Sequence, residues 1–242
     1  MYKARLIFVF HLLALVMLIG GCAGVPVQEN VEKHTPASSL HELPSPMAIF
    51  PFDNNAVTRN EEFEPLSAGL AAMLTTDLRS AAPDLRIIER NKISALLQEV
   101  DLSQSGYVDQ ATALRIGKIL GAKAVVFGSF VVLGEQVRID ARVVKVETSE
   151  TILTESINGT SDAFLDLEKK LASQIAGAVQ KRQVAYQASS HADTLNASLF
   201  FSKGLAAHDR GDLQEAEAYF RKSIELDPSF QKQVENIRVP GN

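Results

Sequence analysis

Apolar residues along this chain follow two spacings, one typical of strands and the other of amphipathic helices. The short apolar run from Met47 to Phe52 is stopped by Asp53 and Asn54, which predicts a buried strand. Leucine and methionine then recur at intervals of three and four from Pro65 to Ser80, which predicts a helix with its proline near the start. The first part of the chain therefore reads as strand followed by helix.

The same spacings continue to Val179. Leu85 to Glu89 predicts a second strand, Asn91 can cap the next helix, and a further helix ends at Gly121. Apolar and polar residues then alternate in three segments joined by tight turns, which predicts strands over Ala124–Val132, Val137–Val143 and Thr151–Asn158, before a helix over Phe164–Val179. We expect an α/β fold whose mixed sheet ends in a three-stranded antiparallel meander and is packed by helices.

The N-terminus has the pattern of an export signal. Lys3 and Arg5 precede an apolar run from Leu6 to Ile19, and small residues lead to Cys22, the only cysteine in the chain. The segment Ile19–Cys22 resembles the bacterial lipobox, so we expect cleavage before Cys22 and lipidation of its sulfur. The apolar run is shorter than the roughly 20 residues that a membrane-spanning helix needs.

The residues after Cys22 predict a flexible tether at a membrane. Prolines and polar residues up to Ser45 leave no apolar face to bury. Ala23, rather than Asp, follows the cysteine, which resembles the sorting pattern of outer-membrane lipoproteins. We therefore expect a domain that is anchored by acyl chains and faces the periplasm.

Charge and motif content argue against several classes of function. With 24 Lys and Arg against 29 Asp and Glu, the chain has no basic excess that would indicate a nucleic-acid partner. The five histidines show no metal-ligand spacing, and neither Gly128-Ser129 nor Gly117 to Gly121 completes a catalytic or phosphate-binding motif. We expect no catalytic residue, metal or cofactor, and hence not an enzyme.

Two sets of charged residues on the predicted strands fit ordinary structural roles. Glu89 and Arg90 fit a charged pair at a strand-to-helix turn. Asp140 between Arg138 and Arg142 fits an exposed ion-pair ladder, although it could also mark a surface for a partner.

Several local motifs stand out between Met47 and Val179. They are Phe50-Pro51-Phe52-Asp53, Ile88-Glu89-Arg90, Leu96-Leu97, Leu102 to Gly106, Gly117 to Ala122 and Gly128-Ser129. Together these motifs resemble the curli production assembly/transport component (CsgG-like) family of outer-membrane lipoproteins. The resemblance implies a compact α/β domain and an envelope function that is exerted by binding.

The chain departs from the channel-forming members of that family. Their membrane-spanning β-hairpins need strands of about 9 to 11 residues, whereas the link after Val132 is only Leu133 to Gln136 and Asn158 leads almost directly into a helix. A subunit of a curli-type secretion channel and an activator of a peptidoglycan synthase stay open as alternatives to an envelope assembly factor.

The C-terminal region matches one tetratricopeptide repeat (TPR). Phe200, Gly204, the Gly211-Asp212-Leu213 turn, Ala216, Phe220 and Pro228 stand at the spacing of the 34-residue unit. Ala207 and Ser223 depart from it and should loosen the packing of the two helices. A single repeat cannot bury its apolar faces alone, so the Phe164–Ala188 helix, the Gln231–Val239 segment or another chain must support it.

If the repeat binds a partner, the inner face of its first helix is the expected surface. That face carries Ser198, Phe201, Leu205, His208 and Asp209. Phe201 fits a buried core position equally well, which is the interpretation that we favour.

The sequence therefore predicts a modular, lipid-anchored binding protein. Its expected partners are the membrane, through the acyl chains, and envelope proteins, through the TPR unit and the α/β domain; homo-oligomerisation stays open. The expected segments are the signal peptide (1–21), the lipidated cysteine and tether (22–46), the CsgG-like α/β domain (47–180), a helical linker (181–196), the TPR unit (197–230) and a tail or partial capping helix (231–242).

Overall fold

The computed structural model describes residues 45–99, 108–180 and 194–238. Its strands are β1 (Met47–Ile49), β2 (Asp53–Asn54), β3 (Ala124–Leu133), β4 (Gln136–Lys145) and β5 (Thr151–Thr160). Its helices are α1 (Asn60–Phe63), α2 (Leu66–Ala81), α3 (Arg90–Glu99), α4 (Gln110–Ile119), α5 (Phe164–Gln180), α6 (Thr194–Asp209), α7 (Leu213–Leu226) and α8 (Phe230–Arg238), with a short 3-10 turn at Ser161–Ala163.

The five strands form one mixed sheet, which confirms the predicted fold class. β1 and β2 both pair with β3 in parallel, whereas β3, β4 and β5 form an antiparallel meander. β5 is the edge strand among the described residues. Side chains of β5 alternate between the two faces of the sheet, and Glu155 is on the face that packs against α5. Burial raises the pKa of this carboxyl group.

Helices cover the two faces of the sheet unequally. The inner face packs against α2 and α5, and its residues Val126, Phe130 and Ile139 join one large apolar core. The outer face contributes Val125 and Phe127 to a smaller core with residues of α3 and α4. The strand alternation predicted from the sequence thus supplies two different cores, one on each side.

Two predicted elements differ from the structure. The strand expected over Leu85–Glu89 is wrong, because this segment makes only a single parallel bridge, between Ile87 and Met47. The apolar run at the start of the domain is divided into β1 and β2 around Pro51, whose missing N–H cannot take part in a ladder.

The TPR unit is the antiparallel pair α6 and α7. Phe201 and Phe220 lie with ring centroids 5.9 Å apart across the pair, and a Cβ at Gly204 would meet the ring of Phe220 at 2.6 Å. Ser223 does not loosen the pair as expected. Its buried hydroxyl donates a 2.8 Å hydrogen bond to the carbonyl of Ala197 on the neighbouring helix.

The repeat is supported mainly by α2, which was not among the supports expected from the sequence. α6 packs along α2 so closely that a Cβ at Gly69 would lie 1.8 Å from the Oγ of Ser202. Two expected supports also contribute: α5 contacts α6, and α8 inserts Phe230, whose ring centroid lies 5.4 Å from that of Phe201. The single repeat therefore shares its core with the α/β domain.

Polar contacts hold the same junction at its edges. Arg90 at the start of α3 donates two hydrogen bonds of 2.5 and 2.6 Å to the carboxylate of Asp209 at the end of α6. Lys232 of α8 donates to the hydroxyl of Ser80 on α2 at 2.7 Å. The expectation for Arg90 as a local capping charge is corrected, because its partner lies 119 residues away along the chain.

A pair of carboxyl groups, one fully buried and one half-buried, lies beneath this junction. Glu168 of α5 is fully buried, and no hydrogen-bond donor reaches its oxygens in the described structure. Burial and the neighbouring Asp77 of α2 raise the pKa of Glu168 well above its usual range. A protonated Glu168 can donate to Asp77, which also accepts a long 3.4 Å hydrogen bond from Gln233 of α8.

The signal peptide and most of the tether, the linker over 181–193 and the last four residues lie outside the described residues. Within the described ranges, no helix combines the length and the apolar character that crossing a membrane requires.

The Gly69→Ala substitution tests the close approach of α2 and α6. Ala normally stabilises a helix interior relative to Gly by roughly 0.5–1 kcal/mol, but here the new methyl group would overlap Ser202. We expect a decrease of about 1–3 kcal/mol in the free energy of unfolding, measured by urea denaturation. Ser202→Gly in the same chain should recover part of this loss. A Gly69→Ala protein as stable as the parent contradicts the packing.

The Glu168→Gln substitution tests the carboxyl pair. A carboxyl group with a raised pKa in the folded state contributes its full stability below its unfolded value of 4.5, and this contribution is lost as the pH rises through the folded-state pKa. The free energy of unfolding should therefore fall with rising pH in the parent protein. It should fall less in Glu168→Gln, because the amide stays neutral, whereas the exposed control Glu225→Gln should keep the parent profile.

Candidate functional site

An open polar groove lies on the outer face of the sheet. Ala113 and Ile116 of α4 cover only the end of this face that carries Val125 and Phe127. Farther along this face, Ser129 of β3 and the polar and charged residues of β4 line the groove, and no described helix covers them. The incomplete outer layer therefore creates a surface that a ligand can reach.

The groove encloses about 410 Å³, which is within the size range of ligand-binding sites. Strands β2 to β5 form its floor, and the residues around the start of α4 form one wall. Its lining residues are Asp53, Asn55, Val108, Gln110, Phe127, Gly128, Ser129, Arg138, Asp140, Arg142, Thr154 and Ser156.

The register of the strands orders the polar side chains. Asp53, Ser129, Asp140 and Ser156 are successive cross-strand partners on β2, β3, β4 and β5. They form a single row across the sheet, in which neighbours are about 4.8 Å apart. Arg138 and Arg142 lie two residues to either side of Asp140 on β4 and point to the same face.

Asp140 is already paired within this row. Arg138 donates to both carboxylate oxygens at 2.7–3.0 Å. This pairing, with a hydrogen bond from Ser156, holds the pKa of Asp140 below its usual value. The expected ladder of Asp140 with its two arginines is therefore present as one bidentate pair, and Arg142 contributes through its charge.

Asp53 has a different environment at the other end of the row. The side chain is half-buried and accepts a 3.3 Å hydrogen bond from the backbone N–H of Val108. Burial raises the pKa of Asp53 to about 6, and the nearby Glu64 adds to the shift. No cationic side chain is within ion-pair distance of Asp53 among the described residues.

The groove has polar and charged groups that can bind a ligand. Its described lining has no histidine, cysteine or lysine. Asp53 and Asp140 are two strand spacings apart, about 10 Å, and Asp140 is engaged by Arg138. The groove offers a ligand a set of hydrogen-bonding hydroxyl groups, one desolvated carboxyl group and the guanidinium of Arg142.

The structure corrects the expected partner surface on the TPR unit. Ser198, Phe201 and Leu205 are fully buried, because the inner face of α6 packs against this chain's own α/β domain. His208 and Asp209 are partly exposed, but Asp209 is bound to Arg90. Only these last two residues of the predicted face are within reach of a partner in this arrangement.

Sequence reasoning missed most of the groove. Asp53 was assigned to a strand end, and the outward position of Ser129 and Ser156 follows from the alternation in β3 and β5. The proximity of these residues depends on the register of four strands, which local patterns do not reveal.

Cys22, the predicted lipidation site, lies outside the described residues. The described ranges contain no cluster of three or more His, Cys, Asp or Glu that could hold a metal.

The architecture defines a class: a helix-packed mixed sheet joined to a single TPR hairpin. Comparison with protein families agrees with this class. Residues 41–139 match the model of the curli production assembly/transport component CsgG, and residues 197–230 match the tetratricopeptide repeat. The chain thus contains a CsgG-family segment followed by one TPR, as the sequence resemblance predicted.

Comparison with curated proteins gave no significant match. Among solved structures, the chain is similar to the LpoB C-terminal domain from Salmonella enterica, with 16% identity, 48% of this chain and 84% of that chain covered, and a TM-score of 0.37. It is similar to lipoprotein GNA1162 from Neisseria meningitidis, with 19% identity, coverage of 55% and 97%, and a TM-score of 0.38. The PelC dodecamer from Paraburkholderia phytofirmans gives 12% identity, coverage of 59% and 90%, and a TM-score of 0.37.

Titration of Asp53 tests the electrostatics of the groove. We expect its side-chain carboxyl to titrate with a midpoint near pH 6 in carbon-13 NMR spectra of the folded protein. The raised pKa means that its contribution to stability is full below 3.8 and is lost as the pH rises through about 6. Asp53→Asn should remove this dependence, whereas the exposed control Asp84→Asn should not. An Asp53 midpoint near 4 would rule out the desolvated environment.

Proposed function

We propose that this chain is a lipid-anchored assembly factor of the bacterial cell envelope, which acts by binding other components. In this proposal, the acyl chains on Cys22 hold the protein at the outer membrane. The tether lets the folded unit extend into the periplasm. The α/β domain and the TPR unit together present the binding surfaces.

The observation that carries the proposal is the packing of the TPR unit onto α2. It joins two binding-type modules through one apolar core, and it leaves the polar groove open on the opposite side of the sheet. A preformed groove on a well-packed scaffold is suited to recognition because little ordering is needed when a ligand binds. The match to an assembly/transport family and to a TPR supports the same function.

The secretion-channel alternative has less support. β3 and β4 are joined by the two-residue turn Gly134–Glu135, and β5 passes through the 3-10 turn Ser161–Ala163 into α5. Each of these connections is far shorter than the twenty or so residues that a membrane-spanning hairpin requires. The groove and the TPR unit are therefore the parts of the described structure on which the proposed binding function rests.

Substitution of Cys22 tests the anchoring part of the proposal. We expect Cys22→Ser to leave the membrane pellet and to appear in the soluble fraction, because acyl chains are what hold the parent protein at the membrane. Ala23→Asp is the matched variant, which should stay lipidated and move from the outer- to the inner-membrane fraction. A Cys22→Ser protein that remains in the outer-membrane fraction argues against lipid anchoring.

Native mass and conductance separate the two functional alternatives. We expect residues 23–242 to be a monomer or a small oligomer by light scattering. We expect the intact lipidated protein to pass no current in planar bilayers. A large closed ring that conducts ions would establish the channel instead.

A further inference from the structure

Within the described part of the chain, no cation pairs with the carboxyl group of Asp53, and the fold itself does not explain this feature of the groove. The group is half-buried and lines the 410 Å³ groove. The ionised groups nearest to it are acidic or already engaged. Glu64 accepts a hydrogen bond from Asn54, Asp109 caps α4 through Thr112, and Asp140 is bound by Arg138. A desolvated carboxylate without a cation is unfavourable unless a ligand supplies the positive charge.

Arg142 provides the opposite charge at the other end of the groove. It is exposed on β4, level with Phe127 on β3 and Thr154 on β5. Arg138 satisfies most of the hydrogen-bonding capacity of Asp140, so the guanidinium of Arg142 remains available for an anion. The groove therefore has two charged groups of opposite sign, with Ser129 and Phe127 of β3 between them.

The strand spacing sets the distance between these two groups. Asp53 and Arg142 are two strands and two residues apart, which puts their Cα atoms roughly 12 Å from each other. An extended peptide covers that distance in about four residues, and side chains four positions apart point to the same face. A segment with a basic and an acidic side chain at that separation can satisfy both groups at once.

We propose that the groove binds an extended peptide segment of a partner protein, whose Arg or Lys side chain pairs with Asp53 and whose acidic side chain pairs with Arg142. This inference rests on the proposed binding function and names the class of partner. Two aspartates and two arginines give the lining balanced charge, which disfavours a purely anionic or purely cationic ligand. The spacing of the opposite charges favours a dipolar peptide over a neutral sugar.

The first experiment uses the full lipidated protein in detergent and a fluorescein-labelled peptide, Gly-Ser-Arg-Ser-Gly-Ser-Glu-Gly, in which Arg and Glu are four positions apart and share one face when the peptide is extended. Fluorescence anisotropy should show saturable binding at pH 7.5. Asp53→Asn should weaken binding about tenfold, because it removes a charge-assisted pair. A peptide with Gln in place of Arg should bind the parent protein equally weakly. Combining the two changes should cost little more than either alone, because both remove the same contact.

Matched controls separate the groove from nonspecific charge effects. Arg142→Gln should weaken the parent peptide and have little effect on a peptide with Gln in place of Glu. Arg221→Gln, an exposed substitution on the TPR unit, should leave the affinity unchanged. Binding by the parent protein should also tighten from pH 5 to pH 7, as Asp53 loses its proton, and should stay constant over this range in Asp53→Asn.

Three results would overturn the inference: no binding of the peptide at millimolar concentrations, binding that Asp53→Asn does not change, or saturable binding of a neutral oligosaccharide such as cellotetraose in place of the peptide. None of them would bear on membrane anchoring or conductance, which are measured separately. Failure of this inference can therefore be distinguished from failure of the proposed function.

Discussion

The packing of α2 on both of its sides is the constraint on which the rest of the structure depends. Its large residues, among them Leu70 and Leu74, belong to the core beneath the sheet, while Gly69 admits Ser202 of α6 on the other side. A helix with an ordinary polar outer face could not pack against both the sheet and α6. By placing small residues where the TPR unit lies, the chain gives a single repeat the apolar partner that neighbouring repeats normally provide.

This arrangement gives the TPR unit a structural role within the chain. In an array of repeats, the first helices line a surface that is available to ligands. Here the corresponding surface is used inside the molecule, and the pair Arg90–Asp209 fastens its end to α3. The repeat thereby becomes part of the scaffold, and the groove on the opposite side of the sheet is the surface that we propose for recognition.

The sequence allowed prediction of those features that depend on neighbouring residues. Apolar periodicity identified α2, and alternation identified the meander, because each pattern is set by one element and one buried face. Leu85–Glu89 has the same apolar character as a strand, but it follows the sheet edge for only one bridge, and tertiary contacts decide that outcome. The packing of α6 against α2 was not predictable from the local pattern. Neither Gly69 nor Ser202 shows in its own helix that the two residues are in contact in the folded chain. The arginines and Asp140 of the groove were recognised as a possible partner surface, but the place of Asp53 beside them was not, because β2 pairs with a strand that is distant in sequence.

The edge position of β5 has a consequence for the behaviour of the protein in a crowded compartment. Among the described residues, no strand pairs with the outer side of this ten-residue strand. Such a side is a template onto which another strand can add, and such addition leads to aggregation. Glu155 points toward the covered face of this strand, where its carboxyl group is already partly desolvated. Any incoming strand would desolvate it further, and an ionised carboxylate resists this strongly. One inward-facing glutamate therefore protects the exposed margin of the sheet against fibril-like growth, and this protection weakens in acid as the carboxylate becomes protonated.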